Sequence, residues 1–247
     1  MDNTWWIEFD GLRLLIDPWL EGEEIDGWRW FNVQRHRTAP VDYRALPKYD
    51  AVLITQKYPD HLHEKTLSRL NPQCVLAPET TRKRLRRLLP GSEIICFGTT
   101  SPSLNVSGVH FFWLPTRRRL DPIYDAIVLD SSRTSVLLAT HGIELDERHE
   151  AILRRISPCR LVISPFNHFR LPTVLGGDVT PGLAGLRPLV ERLDPDWVTQ
   201  THDEDKHAQG VVTRMAKIQR FAAADLVHYP WLAPKYLALN DYQEMQL

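Results

Sequence analysis

Asp50-Ala51-Val52-Leu53-Ile54-Thr55 runs without a break into Gln56-Lys57-Tyr58-Pro59-Asp60-His61-Leu62-His63. The first six residues form a short continuous apolar run, the pattern of a strand buried on both faces. The next eight place an amide, a phenol, a carboxylate and two imidazoles directly behind that strand. Imidazole with carboxylate is the ligand mix that zinc, iron or manganese accepts.

Three further strands end the same way. Ser135–Ala139 is followed by Thr140-His141-Gly142, Leu161–Ser164 by Pro165-Phe166-Asn167-His168, and Trp197–Gln200 by Thr201-His202-Asp203. In open α/β sheets, side chains from several strands converge where the strands end. A histidine behind four separate strands therefore predicts a metal site at that edge. Exposed loops also contain histidines by chance, and His168 taken singly reads as structural.

Around these strands the chain alternates hairpins with strand–helix units. Trp5–Phe9, Asp10-Gly11 and Leu12–Asp17 predict a hairpin, because Asp-Gly supplies the turn that matches strand twist. Leu20 to Pro40 reads as a long irregular segment that either covers a site or packs its Trp28, Trp30 and Phe31 on the core. Helices are expected over His63–Leu70, Glu79–Leu89, Asp146–Ile156, Pro181–Leu193 and Val211–Ala224, with a Gly/Pro-rich loop running up to Thr180. Nothing in composition divides the 247 residues, so one α/β domain over 1–247 is expected. Its architecture would be a four-layer αββα sandwich, two mixed β-sheets flanked by helices.

The bulk numbers narrow the partners. Thirty basic and 31 acidic residues give a net charge of −1, so no global field recruits nucleic acid or an anionic membrane. The cluster Arg82-Lys83-Arg84-Leu85-Arg86-Arg87 reads as a solvated helix face rather than a phosphate-backbone stripe. Cys74, Cys96 and Cys159 are scattered and odd in number, which argues for reduced core thiols in a cytoplasmic protein and against both a disulfide framework and a thiolate zinc site. No apolar stretch reaches the length of a membrane span. A small anionic molecule is the expected substrate; the sequence leaves the oligomeric state open.

At the Ile54–His61 stretch the chain resembles the metallo-β-lactamase superfamily. Its motif, His-x-His-x-Asp-His after a strand ending Ile-Thr, is matched in register by Gln56-x-Tyr58-x-Asp60-His61. The opening hairpin ending Ile16-Asp17-Pro18-Trp19 is similar to the branch related to ascorbate-phosphate lactonases. More closely, the chain resembles cyanobacterial and plastid members whose first ligand positions are substituted and in which His-Gly replaces Gly-Asp.

The resemblance implies that one of two metal sites survives, with Asp60, His61 and His202 as ligands and His141 at or beside the position of a bridging aspartate. It implies that the other site is largely lost, because Gln56 ligates poorly and Tyr58 binds chiefly as phenolate. One divalent ion, or none, is then the expected cofactor, with zinc first and manganese or iron as alternatives. Asp60 would serve as ligand and base, and Tyr58 as donor to an oxyanion. Arg117 and Arg118 either place positive charge in the lost site and clamp an anion, or form a solvated charged turn. The activity implied is hydrolysis of a small ester, lactone or phosphoester. The alternatives are an inactive relative binding an anion or a protein, and an RNA-binding phosphodiesterase-like protein.

Overall fold

The computed structural model describes residues 2–116, 125–175, 177–240 and 243–247. In chain order the strands and helices begin with β1 (Trp5–Phe9), β2 (Leu12–Ile16), β3 (Glu24–Asp26), β4 (Asn32–Arg35) and β5 (Ala51–Leu53). Next come α1 (Glu64–Leu70), β6 (Cys74–Pro78), α2 (Arg82–Leu88), β7 (Glu93–Phe97), β8 (Ser103–Val106) and β9 (Val109–Leu114). They continue with β10 (Ala126–Asp130), β11 (Ser135–Leu138), α3 (Glu147–Leu153), β12 (Cys159–Ser164), β13 (His168–Arg170) and β14 (Asp178–Pro181). The last are α4 (Gly182–Leu193), β15 (Trp197–Gln200), β16 (His207–Gln209), α5 (Val211–Met215) and β17 (Lys217–Gln219). They fall into two compact units, Met1–Val109 with Glu204–Arg214, and His110–Asp203 with Met215–Leu247.

The first unit is built on a mixed sheet of order β1-β2-β5-β6-β7. The hairpin β1–β2 is antiparallel, and its turn residues Asp10 (φ 50°) and Gly11 (φ 84°) are both left-handed, as a primed two-residue turn demands. β2, β5, β6 and β7 run parallel. Val52, Ile54, Leu62, Leu67, Val75 and Leu85 are fully buried in one core cluster, which explains why β5 is apolar throughout. Arg13 grips Asp50 through its backbone and guanidinium, fixing the register at the entry to β5.

The second unit carries a sheet in which β15, β12 and β11 are parallel and β10 and β9 are antiparallel additions. Its core gathers Leu114, Val128, Leu137, Val162, Leu189 and Val198, all at 0–1% exposure. Both main sheets are therefore mixed and carry helices, as expected of the α/β class. Within each sheet the parallel strands deliver their C-terminal ends to the same edge.

Five sequence expectations are corrected. The Leu20–Pro40 segment is not irregular throughout: it forms the hairpin β3–β4, to which β16 adds antiparallel. Its strands are short and polar, so no apolar alternation announced them. Trp28 and Trp30, in the hairpin's connection, are not packed on the core; they are 65% and 64% exposed and stack on each other at 5.8 Å. The Gly/Pro-rich stretch before Thr180 likewise contains β13 and β14 as an antiparallel pair. Finally, the helix expected over Val211–Ala224 stops at Met215. Lys217–Gln219 pair with β13, and the Phe221 backbone donates to Asn167 Oδ1 at 2.7 Å while its ring packs on Phe166 and Tyr236. Those pairings outweigh helix propensity. The helix expected from Glu79 begins as a 3-10 turn over Glu79–Thr81, and Asp146 caps α3 instead of lying within it.

Among the described residues, no helix is long and apolar enough to cross a membrane.

Candidate metal centre

In the first unit the loop after β5 turns tightly, with the backbone N–H groups of His61 and Leu62 donating to Tyr58 O at 3.0 and 2.7 Å. This turn swings His61 back under the sheet edge, where its side chain is completely buried. β2 and β5 are parallel with Ile16 opposite Leu53, so Asp17 sits beside the strand end that His61 returns to. Asp17 takes a left-handed conformation at φ 43°, a bend Asp tolerates better than most residues. Its carboxylate accepts from Thr55 N at 2.7 Å, from Thr55 Oγ1, and from His61 Nδ1 at 2.7 Å.

That arrangement assigns the ring. With Nδ1–H held by Asp17, His61 Nε2 faces the loop, 3.6 Å from Asp60 Oδ2 and 3.3 Å from Asn3 Nδ2. A carboxylate behind an imidazole is how metal-ligating histidines are oriented and made more basic. Burial disfavours the charged ring, but Asp60, Asp17 and Asp2 outweigh it and raise the His61 pKa to about 9. Asp2 and Asn3 reach this edge because β1 runs antiparallel to β2, so the chain's start lies against the strand's end. Thr4 Oγ1 accordingly donates to Asp17 O and accepts from Trp19 N, each at 3.0 Å.

Asp60 and Asp2 carboxylate oxygens lie within 4.8 Å of each other. Gln56 is buried and Tyr58 half-buried, with Lys57 Nζ 5.2 Å over the Tyr58 ring. His63 is a structural residue. It caps α1, with Nδ1 meeting Thr66 Oγ1 at 2.8 Å and accepting from Thr66 N. His207 is exposed in β16.

In the second unit the strand ends bring His141 and His202 together, with ring centroids 4.4 Å apart. His141 Nδ1 contacts Val179 O at 3.4 Å. Gly142 beside it has φ 85°, and a Cβ there would stand 2.7 Å from Pro181 Cγ, so only glycine fits the turn. Asp203 positions the neighbouring loop, accepting from Phe166 N at 2.7 Å and Asn167 N at 3.0 Å. His168 goes elsewhere: it lies on β13 with Nε2 2.9 Å from Asp178 Oδ1, both side chains partly exposed.

The donor chemistry in each unit fits a divalent ion of the N/O class, with an oriented imidazole beside a carboxylate in the first and two adjacent imidazoles in the second. Arg117 and Arg118 lie outside the described residues. Of the basic cluster on α2, Arg82 is paired with Glu79 and Arg84 with Glu64.

Two contributors escaped the sequence reading. Asp17 is 44 positions from His61, and its only signal was an acid at the end of an apolar strand. Lys206, in the first unit, is held by β16 so that its ammonium meets Asp2 at 2.6 Å with the side chain 10% exposed. Nothing in its local sequence marks it as buried.

Residues 1–112 match the family described as Beta-lactamase superfamily domain. No curated protein matches the sequence. The structure resembles an isothiocyanate hydrolase from Delia radicum gut bacteria, at TM-score 0.70 and 15% identity, covering 99% of this chain and 96% of that one. It resembles a protein of Veillonella parvula described as a possible metal-dependent hydrolase, at TM-score 0.71 and 14% identity, over 99% and 96%. The metallo-beta-lactamase fold protein YhfI of Bacillus subtilis superposes at TM-score 0.59 and 11% identity, over 96% and 87%. Mixed sheets with parallel strand ends carrying His and Asp, the match over the first 112 residues and these superpositions together show that the chain has the metallo-β-lactamase fold.

Proposed function

We propose that the chain is a metal-dependent hydrolase acting on a small ester, lactone or phosphoester through at most one divalent ion. Asp60, His61, His141 and His202 are its proposed ligands, and zinc, manganese or iron its proposed metal. The observation that carries this reading is the buried Asp17–His61 pair, which points Nε2 toward Asp60. A purely structural histidine needs no buried carboxylate to orient one nitrogen while the other faces a second carboxylate. Two structures of similar fold are described as hydrolases, one of isothiocyanates and one as metal-dependent, and they support the same class of chemistry.

When bound, a divalent ion supplies Lewis acidity for hydrolysis. This chain's residues do the rest. Asp17 fixes the His61 tautomer, Asp60 ligates and accepts the proton of the attacking water, and Tyr58 offers a hydroxyl to the developing oxyanion. The substitution of Gln56 and Tyr58 for histidine removes two ligands, so the proposed capacity is one ion. Metal analysis of chelator-free protein, repeated after refolding with zinc, manganese and iron, tests the reading. Less than about a tenth of an ion per chain in every preparation overturns it.

A further inference from the structure

A lysine whose side chain is nine-tenths buried is uncommon, because burying an ammonium costs several kcal/mol unless it is paired. Lys206 is such a lysine, and several acidic side chains lie around it. Nζ lies 2.6 Å from Asp2 Oδ2, and Asp2 itself is 1% exposed. The Asp60 carboxylate lies within 4.8 Å of that of Asp2 and acts electrostatically on the same ammonium. Glu24, at the start of β3 and 3% exposed, adds a third carboxyl, and its Oε2 has no hydrogen-bond partner among the described residues. The Trp19 ring closes the cluster with its face 5.5 Å from Nζ.

The backbone is arranged to bring this cation in. β16 pairs antiparallel with β4, with His207 opposite Arg35. Just before it, Glu204 takes the Nδ1 of His36 at 2.6 Å, while His36 Nε2 contacts Trp19 O and its ring lies 4.0 Å from that of Trp19. Glu204 and Lys206 are thus anchored on both sides of Asp205. Burial lowers the tendency of Lys206 to hold its proton, but Asp2 and Asp60 outweigh it and the net direction is upward. The ammonium stays charged.

We propose that the Lys206 ammonium is the resident counter-cation of the carboxylates of buried Asp2 and half-buried Asp60, filling a place that a divalent ion takes when the lysine is removed. Lys206 is in this sense a positioning residue: it holds Asp60 without metal and limits the first unit to the single ion proposed above. The limit of one ion rests on the proposed function; the charge-balancing role does not.

The test compares wild type with Lys206→Met, which keeps the bulk and deletes the charge. In chelator, the variant is expected to melt at least about 6 °C lower, the scale of a broken buried ion pair in a chain of this size. Added zinc, manganese or magnesium chloride is expected to restore most of that loss and to raise the metal content of the variant by one ion per chain over wild type. A variant that melts like wild type in chelator overturns the proposal. So does a loss of stability that none of the three ions repairs. If Lys206→Met does not fold, the double variant Asp2→Asn/Lys206→Met is expected to fold without metal, because one carboxylate has been neutralised with its cation; a double variant as unstable as the single one also overturns the proposal. Wild-type protein that takes up no metal defeats the hydrolase reading alone, since the chelator measurements still report on Lys206.

Discussion

The Nδ1 of His61 lies 2.7 Å from the Oδ2 of Asp17, and neither side chain has any exposure to solvent. Asp17 directly follows β2, and the tight turn after the adjacent parallel strand β5 returns His61 to it, so sheet register places one partner and the Tyr58–Leu62 turn the other. Asp17 therefore supports the stability of this edge and, after Asp60, adds to the basicity of His61. Asp17→Asn keeps the shape and removes the charge, and should weaken zinc or manganese affinity about 10- to 100-fold. Asp17→Ala takes the buried carboxylate from His61 and should cost about 3–5 kcal/mol of stability. Chelator-competition titration and thermal melts measure the two effects; an Asp17→Asn chain with wild-type affinity contradicts the role.

Metal-free protein should lose stability on the alkaline side. His61 moves from an ordinary value of 6.5 up to about 9 on folding, so its contribution is fully present below pH 6.5 and lost as pH rises through about 9. Glu24 moves the same way, from 4.5 to about 9, because burial and the charge of Asp60 favour its protonated form. Unfolding releases that proton above pH 4.5, so Glu24 also makes stability fall with rising pH. Melting temperatures in chelator should therefore decline between about pH 6 and 9. Glu24→Gln should flatten part of that slope. A Glu24→Gln slope identical to wild type contradicts the assignment.

Metal binding in the same range should release protons, because His61 must surrender its Nε2 proton to bind an ion. Calorimetric titration in two buffers of different ionisation enthalpy measures the number released per ion. The value expected at pH 7 is close to one, and it should fall toward zero above pH 9.

Gly142→Ala should destabilise the loop that carries His141, since its φ of 85° and a 2.7 Å approach to Pro181 leave no room for a methyl group. Left-handed backbone at a non-glycine costs about 1 kcal/mol before the clash is counted. A melting temperature lowered by several degrees is expected, with the paired change at exposed Gly91 serving as a control that meets nothing within 4 Å.

The three free cysteines should differ in reactivity. Cys159 is buried, and burial pushes its thiol up to about 12. Cys74 is only partly buried. A thiol-exchange reagent at pH 8 should label Cys74 first and leave Cys159 silent until the chain unfolds. Labelling of Cys159 at the rate of Cys74 would show that the second core opens readily.

The sequence carried the parts of this fold that depend on local pattern. Ala51–Leu53 announced a buried strand because both of its faces are covered, and Asp10-Gly11 announced a hairpin because few other dipeptides fit its turn. His61, His141 and His202 were legible because each follows an apolar run by a few residues. What escaped depends on tertiary partners. Glu24–Asp26 and His207–Gln209 become strands only by pairing with Asn32–Arg35. Lys217–Gln219 left a helical pattern to pair with His168–Arg170. Asp17 and Lys206 owe their roles to partners 44 and 204 positions away, His61 and Asp2.

The most direct test of the metal centre is to count metal in chelator-free protein alongside His61→Ala and Asp60→Asn. The account predicts about one zinc, manganese or iron ion per wild-type chain and a clear loss of it in both variants. Wild-type protein holding less than about a tenth of an ion, or variants that retain the full wild-type content, would contradict it.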